Sequence, residues 1–163
     1  MKFSMRSSCV GLLIVPFALA ANAETVTISE VIPFAENSGA STNVKSECKL
    51  ETRIPEYIAK AAKGDISIDT TGEDLDAVEG PVMFVTIAHV YAPGGGNWSG
   101  GKSVRVDVAV SVNGRVVEET TIQRSSRVGF GTCAILKKIS RVLGEDIVAW
   151  LGQALRKSSL PQH

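Results

Sequence analysis

Val128-Gly129-Phe130-Gly131-Thr132-Cys133 opens the stretch that decides the fold, residues 128–155. Beyond it Leu136, Ile139, Leu143, Ile147, Trp150 and Ala154 recur at intervals of three and four, with Lys137, Lys138, Arg141, Glu145 and Arg156 opposite. This is the longest amphipathic helix pattern in the chain, and an apolar stripe of that length needs another layer to lie on. The phase carries through Gly144, so one helix is expected despite a cost of about 1 kcal/mol for an interior glycine. Thr132 is placed to cap its start.

The layer comes from upstream. Val104, Val106, Val108, Val110 and Val112 alternate strictly with Arg105, Asp107, Ala109 and Ser111, the period of a strand with one face buried. Asn113-Gly114 then signals a hairpin, because both residues tolerate positive φ. In the return strand, residues 115–124, a two-residue turn places Val117, Glu119 and Thr121 beside the valines, whereas a bulged turn places Val116, Glu118, Thr120 and Ile122 there. Neither set is purely apolar, which predicts a partly exposed outer strand. Residues 82–91 are apolar at both alternating sets, Val82, Phe84, Ala88 and Val90 against Met83, Val85, Ile87 and Tyr91. That predicts a central strand covered on both faces.

Nearer the start, residues 24–32 read as a first strand with Val26 and Ile28 inward, followed by a polar loop. Leu50, Ile54, Tyr57, Ile58 and Ala61 then mark one face of a helix. Pro55 requires the helix either to kink there or to begin its regular part there, with Gly64 as its stop. Residues 65–69 suit a short strand. The whole is expected to be a single α+β domain, residues 24–163, of order β-α-β-β-β-β-α. Two helices cover one face of a small, mostly antiparallel sheet.

Residues 1–23 are set aside as a secretory signal. Lys2 and Arg6 precede an apolar run of about a dozen residues, too short to span a bilayer, and Ala21-Asn22-Ala23 is a small-x-small cleavage pattern. Cys9 precedes that run, which is not where a lipid-anchored cysteine sits. Cleavage after Ala23 leaves about 140 residues, enough for one sizeable core, and sends the protein to the periplasm or outside the cell. In that oxidising setting the two remaining cysteines, Cys48 and Cys133, are expected to form a disulfide. Closing a loop of about 85 residues is worth roughly 4 to 5 kcal/mol in the chain-entropy model.

Charge is unevenly spread. Residues 24–92 carry 12 acids and 5 bases, residues 93–163 carry 5 acids and 10 bases. Either the halves complement one another on folding, or the second half meets an anionic partner. Arg124, Arg127, Lys137, Lys138 and Arg141 form the candidate basic surface. The acidic loop holds Glu73, Asp74, Asp76 and Glu79 but lacks the Asp-x-Asp-x-Asp-Gly spacing of a calcium loop. No metal site or cofactor is expected, and no nucleic-acid partner.

The most unusual composition is Gly94-Gly95-Gly96-Asn97-Trp98-Ser99-Gly100-Gly101-Lys102-Ser103. Gly96 to Ser103 formally satisfies the phosphate-loop pattern. A phosphate loop works by leading into a helix N-terminus, and here a strand follows, so nucleotide binding is set aside. What remains is Trp98 among glycines, whose backbone lets amides approach a ligand closely. Such a residue suits sugars, peptides or partner proteins. The same loop also suits packing over the sheet edge with no site at all.

Gly94 to Gly100, the strand start Lys102-Ser103-Val104, Gly129-Phe130-Gly131-Thr132-Cys133-Ala134-Ile135-Leu136 and Leu143-Gly144-Glu145-Asp146-Ile147-Val148-Ala149-Trp150-Leu151 together resemble a family of exported bacterial proteins of unknown function. The resemblance covers about the last half of the chain, with the helix containing Cys48. The element order is similar, at fold level, to the amino-terminal domain of TolB and to the periplasmic lipoprotein activators of peptidoglycan synthases. That similarity implies a binding module working through protein contacts. It supplies no catalytic residue, and the lipid-attachment cysteine of the lipoproteins is missing.

The expected function is therefore an exported envelope module contacting a protein or glycan through Gly94, Gly95, Gly96, Asn97, Trp98, Ser99, Gly100 and Gly101. A second possibility is a small hydrolase or inhibitor-type protein in which His89 works with Asp74, Asp76 or Glu79. Oligomeric state is open.

Overall fold

The structure, a computed structural model, describes residues 23–93 and 100–158. Residues 1–22 of the expected signal, and Gly94, Gly95, Gly96, Asn97, Trp98 and Ser99, lie outside the described residues.

Strands β1 (Glu24–Ser29), β2 (Ile66–Thr71), β3 (Pro81–Tyr91), β4 (Lys102–Val112) and β5 (Arg115–Ser126) form one sheet in the order β2-β1-β3-β4-β5. Helices α1 (Leu50–Ala61) and α2 (Thr132–Ser158) complete the expected β-α-β-β-β-β-α order of an α+β fold. The sheet is mixed. The long ladders of β4 with β3 and β5 are antiparallel, while β1 pairs parallel with both β2 and β3. Helix α1 supplies the crossover that a parallel β1–β2 pair needs.

One alternating set from the sheet makes the core floor. Met83, Val85 and Ile87 of β3 stand opposite Val110, Val108 and Val106 of β4, beside Val26 and Ile28 of β1. Ile54 and Ile58 of α1 and Leu136, Leu143 and Ile147 of α2 join the same buried cluster.

β3 is the middle strand, but among the described residues it is packed on one face only. Phe84 and Thr86 on its other face are only half-buried and border a shallow open cleft of 460 Å³. A bulge between Ile87 and His89 inserts Ala88 and reverses the phase beyond it. Val90 thus joins the core beside Val104, and Tyr91, opposite Ser103, turns outward at 57% exposure. The sequence alternation had assigned both residues to the opposite faces, because a bulge leaves no mark in an all-apolar run.

β1 ends at Ser29, short of the expected Ile32. The Ser29 hydroxyl donates to the Val31 carbonyl and accepts from its amide, which turns the chain. The polar stretch beyond then runs along β3, held by Ile87 N–H to Pro33 O, Ala35 N–H to Ile87 O and Val90 N–H to Ser38 O.

The hairpin after β4 has Asn113 and Gly114 at φ 53° and 74°, as the dipeptide predicts. Its register is the bulged one. Val106, Val108 and Val110 face Ile122, Thr120 and Glu118, with the shift falling between Val110 and Ser111. The polar residues this puts on the helix side are used: Glu118 accepts from Lys157 of α2 at 3.0 Å, and Arg124 grips Asp146 of α2 at 2.6 and 3.0 Å.

α1 neither begins nor breaks at Pro55. It starts at Leu50 and continues through the proline. Proline cannot donate to the carbonyl four residues back, and that carbonyl, on Glu51, accepts instead from the Ile32 amide at 2.9 Å. The missing helix bond is thus converted into a tie between α1 and the end of β1.

α2 starts at Thr132 itself, so this residue is the first of the helix rather than its cap, and the helix runs unbroken through Gly144. A Cβ at Gly144 would lie 2.7 Å from the Tyr57 carbonyl carbon and 2.9 Å from the Ile58 nitrogen. The two helices therefore touch backbone to backbone here. Cys48, just before α1, bonds to Cys133, the second residue of α2, across a sequence separation of 85. Gly144→Ala is expected to lower stability by about 1–3 kcal/mol through overpacking, against the gain of about 1 kcal/mol that helix propensity alone predicts. Urea unfolding of the two proteins decides which term wins.

Candidate binding surface

The sheet has one end at which its connections to the glycine loop and to α2 meet. β3 leaves at Tyr91, β4 enters at Lys102, β5 leaves at Ser126, and their pairing, Tyr91 with Ser103 and Ser103 with Ser125, makes one row across the outer face. A cleft of 530 Å³ lies over that row, lined by Tyr91, Gly100, Gly101, Gln123 and Arg127 among others. Of the expected contact residues, Gly100 and Gly101 are therefore on a cleft wall. The other six are outside the described residues.

Each wall has a local cause. Gly100 sits at φ 72°, a conformation that favours glycine. A Cβ on Gly101 would meet the Arg127 side chain at 3.3 Å, so the absence of a side chain lets that arginine lie over the strand start. Lys102, the first residue of β4, is fully buried, and its Nζ donates to the Pro93 carbonyl at 2.6 Å. This bond ties the outgoing end of the loop to the incoming end. Lys102 opens a strand rather than a helix, as the valine alternation after it predicts.

The candidate basic residues are dispersed. Arg124 is held by Asp146, whose hydrogen bonds raise the guanidinium above its ordinary value. Arg141 is paired with Glu145 one turn along α2. Arg127, Lys137 and Lys138 are exposed, with no salt bridge among the described residues. All four ion pairs of the described residues join groups from the same half of the chain: Lys60 with Glu56, Arg124 with Asp146, Arg141 with Glu145 and Lys157 with Glu118. Among the described residues, none of these four pairs joins the acidic half to the basic one.

His89 does not meet the acidic loop. It is half-buried in β3, opposite Arg105 and close to Gly39, whereas Asp74, Asp76 and Glu79 are exposed before the other end of the strand. From Pro81 to His89 the strand covers about 26 Å. Asp74 is occupied locally, its side chain accepting from the Asp76 amide to start a short 3₁₀ turn, Leu75–Ala77. The hydrolase reading that joined these groups is overturned.

Sequence reasoning missed three exposed apolar side chains at this end of the molecule: Tyr91 at 57%, Val128 at 69% and Phe130 at 85% exposure. Tyr91 was hidden by the bulge. Phe130 lies in the linker between β5 and α2, where no periodicity says which way a side chain points.

No protein-family model matches the chain, and no curated protein matches it in sequence. Solved structures share its fold. A Xanthomonas campestris protein of the DUF330 family superposes with a TM-score of 0.54 at 10% identity, over 88% of this chain and 92% of that one. PelC from Paraburkholderia phytofirmans, a dodecamer, superposes with a TM-score of 0.52 at 15% identity, over 81% and 90%. An uncharacterized protein gives 0.52 at 8% identity, over 80% and 94%. At these identities the likeness is one of fold.

Burial lowers the Lys102 pKa from its ordinary value. Between that lowered value and about 10.4, the unfolded chain binds more protons at this site than the folded one, so stability there rises with pH. Below the window the cost of burying the charge is fully present. Urea melts of wild type and Lys102→Met are expected to show the wild type gaining stability relative to the variant as pH rises through the window. A difference independent of pH would count against it.

Proposed function

We propose that the protein is an exported module of the bacterial envelope that binds a protein or glycan through the glycine-loop end of its sheet. Trp98, with Gly94 to Gly96, Asn97, Ser99, Gly100 and Gly101, forms the contact. The observation that carries this reading is the cleft that Gly100, Gly101 and the exposed Tyr91 line together, with Pro93 at the loop's other described end tied to Lys102 of the same cleft. An aromatic wall beside accessible backbone suits a sugar face or an extended peptide. The Cys48–Cys133 disulfide supports an oxidising compartment outside the cytoplasm, and the cysteine-free remainder of the chain after residue 23 agrees with it.

Trp98→Ala is expected to weaken capture of envelope partners by about tenfold or more, as loss of a central aromatic contact does, while leaving the unfolding transition in place. Crosslinking from position 98 in the native envelope identifies the partner. Retention of every captured partner at unchanged affinity would remove the loop from the function.

A second reading, self-assembly, is favoured by the uncovered outer face of β3 to β5, where Phe84, Thr86 and Ala109 are only half-buried in a single copy. PelC, which shares the fold, is a dodecamer. Sedimentation of the purified protein separates the two: a monomer at all concentrations leaves partner binding alone.

A further inference from the structure

The connection between β5 and α2 runs on from the cleft wall at Arg127. Val128 and Phe130 are the two most exposed large hydrophobic residues among those described, at 69% and 85%. The backbone that carries them is constrained. Gly129 has φ 151°, and a Cβ there would lie 2.8 Å from Cγ1 of Ile135, a buried residue of α2. Gly131 follows at φ 81°, and Cys133, two residues on, is bonded to Cys48. Phe130 is thus carried on a turn wedged against the helix and stapled to the rest of the fold, so holding it outward costs little additional ordering.

The charge around the turn has one sign. From Thr120 to Gly144 the chain holds five cations and no carboxylate. Arg124 and Arg141 are engaged by acids further along α2, while Arg127 adjoins the turn and Lys137 and Lys138 follow in the second turn of α2. Lys137 is about 8 Å along the helix axis from its start, within a Debye length of anything the tip touches. The carboxylate that Lys137 does sense, Glu56 of α1, is itself bonded to Lys60.

We propose that this turn is a membrane-docking tip: Val128 and Phe130 enter the headgroup boundary of an anionic phospholipid bilayer, and Arg127, Lys137 and Lys138 face its phosphates. Two side chains on a projecting turn offer far less than the roughly 800 Å² per partner of a stable protein interface. A bilayer needs no complementary pocket and closes around a projecting apolar tip, and nearby cations add attraction to anionic lipid. The proposal goes beyond the ligand reading of the Trp98 loop and is tested separately from it.

The protein as purified after export is to be sedimented with vesicles of phosphatidylglycerol and phosphatidylethanolamine, and with vesicles of phosphatidylcholine alone. Preferential binding to the anionic vesicles, weakened by salt, is expected. Phe130→Ser should lower that partitioning about tenfold, with circular dichroism and the unfolding midpoint unchanged because the side chain is exposed. Lys137→Glu with Lys138→Glu should abolish the anionic preference, and Trp98→Ala should leave vesicle binding intact. Equal binding to both vesicle types, or undiminished binding of Phe130→Ser, overturns the proposal. So does loss of a captured protein partner in Phe130→Ser with no vesicle binding by the wild type, which would assign the turn to a protein contact.

Discussion

The contact at Gly144 is the constraint on which the helical layer depends. With Tyr57 backbone 2.7 Å from where a Cβ would stand, α1 and α2 meet with no room for a side chain between them, and their apolar faces join one buried cluster with the sheet. The disulfide fixes the same pair of helices near their starts. Two ion pairs from α2 to β5, through Glu118 and Arg124, fix the outer edge. A helix lying on a five-stranded sheet has freedom to slide along its axis. Contacts near its start, in its middle and near its end remove that freedom without a second layer on the open face.

Much of this order was legible because it rests on periodicity. The valine alternation of β4 and the three-and-four spacing of α2 each have one physical solution, and Asn113-Gly114 fixes the place of the turn though not its register. Cys48 and Cys133 could pair only with each other once the first 23 residues were set aside. What was not legible were the places where a residue is inserted or a bond exchanged. Ala88 is indistinguishable from its neighbours in composition, yet it reverses Val90 and Tyr91. The shift after Val110 decides which side of β5 is polar. Pro55 looked like a boundary because its own helix loses a hydrogen bond there, and the compensating donor, Ile32, lies 19 positions earlier in Glu51's counting of the sequence. No local rule contains it.

The binding surface was half legible for a related reason. Composition singled out the glycine loop, and Gly100 and Gly101 do line a cleft. Composition could not say that Tyr91 shares that cleft, since this follows from a bulge, nor that Phe130 points into water, since this follows from positive φ on both sides of it. His89 and the acidic loop failed together as a site because they occupy opposite ends of one strand. Closeness in sequence was misleading there: an extended chain separates residues faster than any other conformation.

Charge provides the last step. An acidic first half and a basic second half suggest mutual neutralisation, but the four salt bridges seen among the described residues each lie within one half. In the second half, three of five acids are consumed in pairing with three of ten bases. Arg127, Lys137 and Lys138 are exposed cations of that half with no salt bridge among the described residues, and they flank in sequence the least protected apolar side chains described, Val128 and Phe130. Hydrophobic exposure alone is a liability in a secreted protein, and cationic excess alone is an ordinary solvated surface. Their succession from Arg127 through the rigid Val128–Gly131 turn into the first two turns of α2 gives the proposed arrangement a direction: the sheet end that carries the proposed ligand loop is also the end that would face an anionic surface.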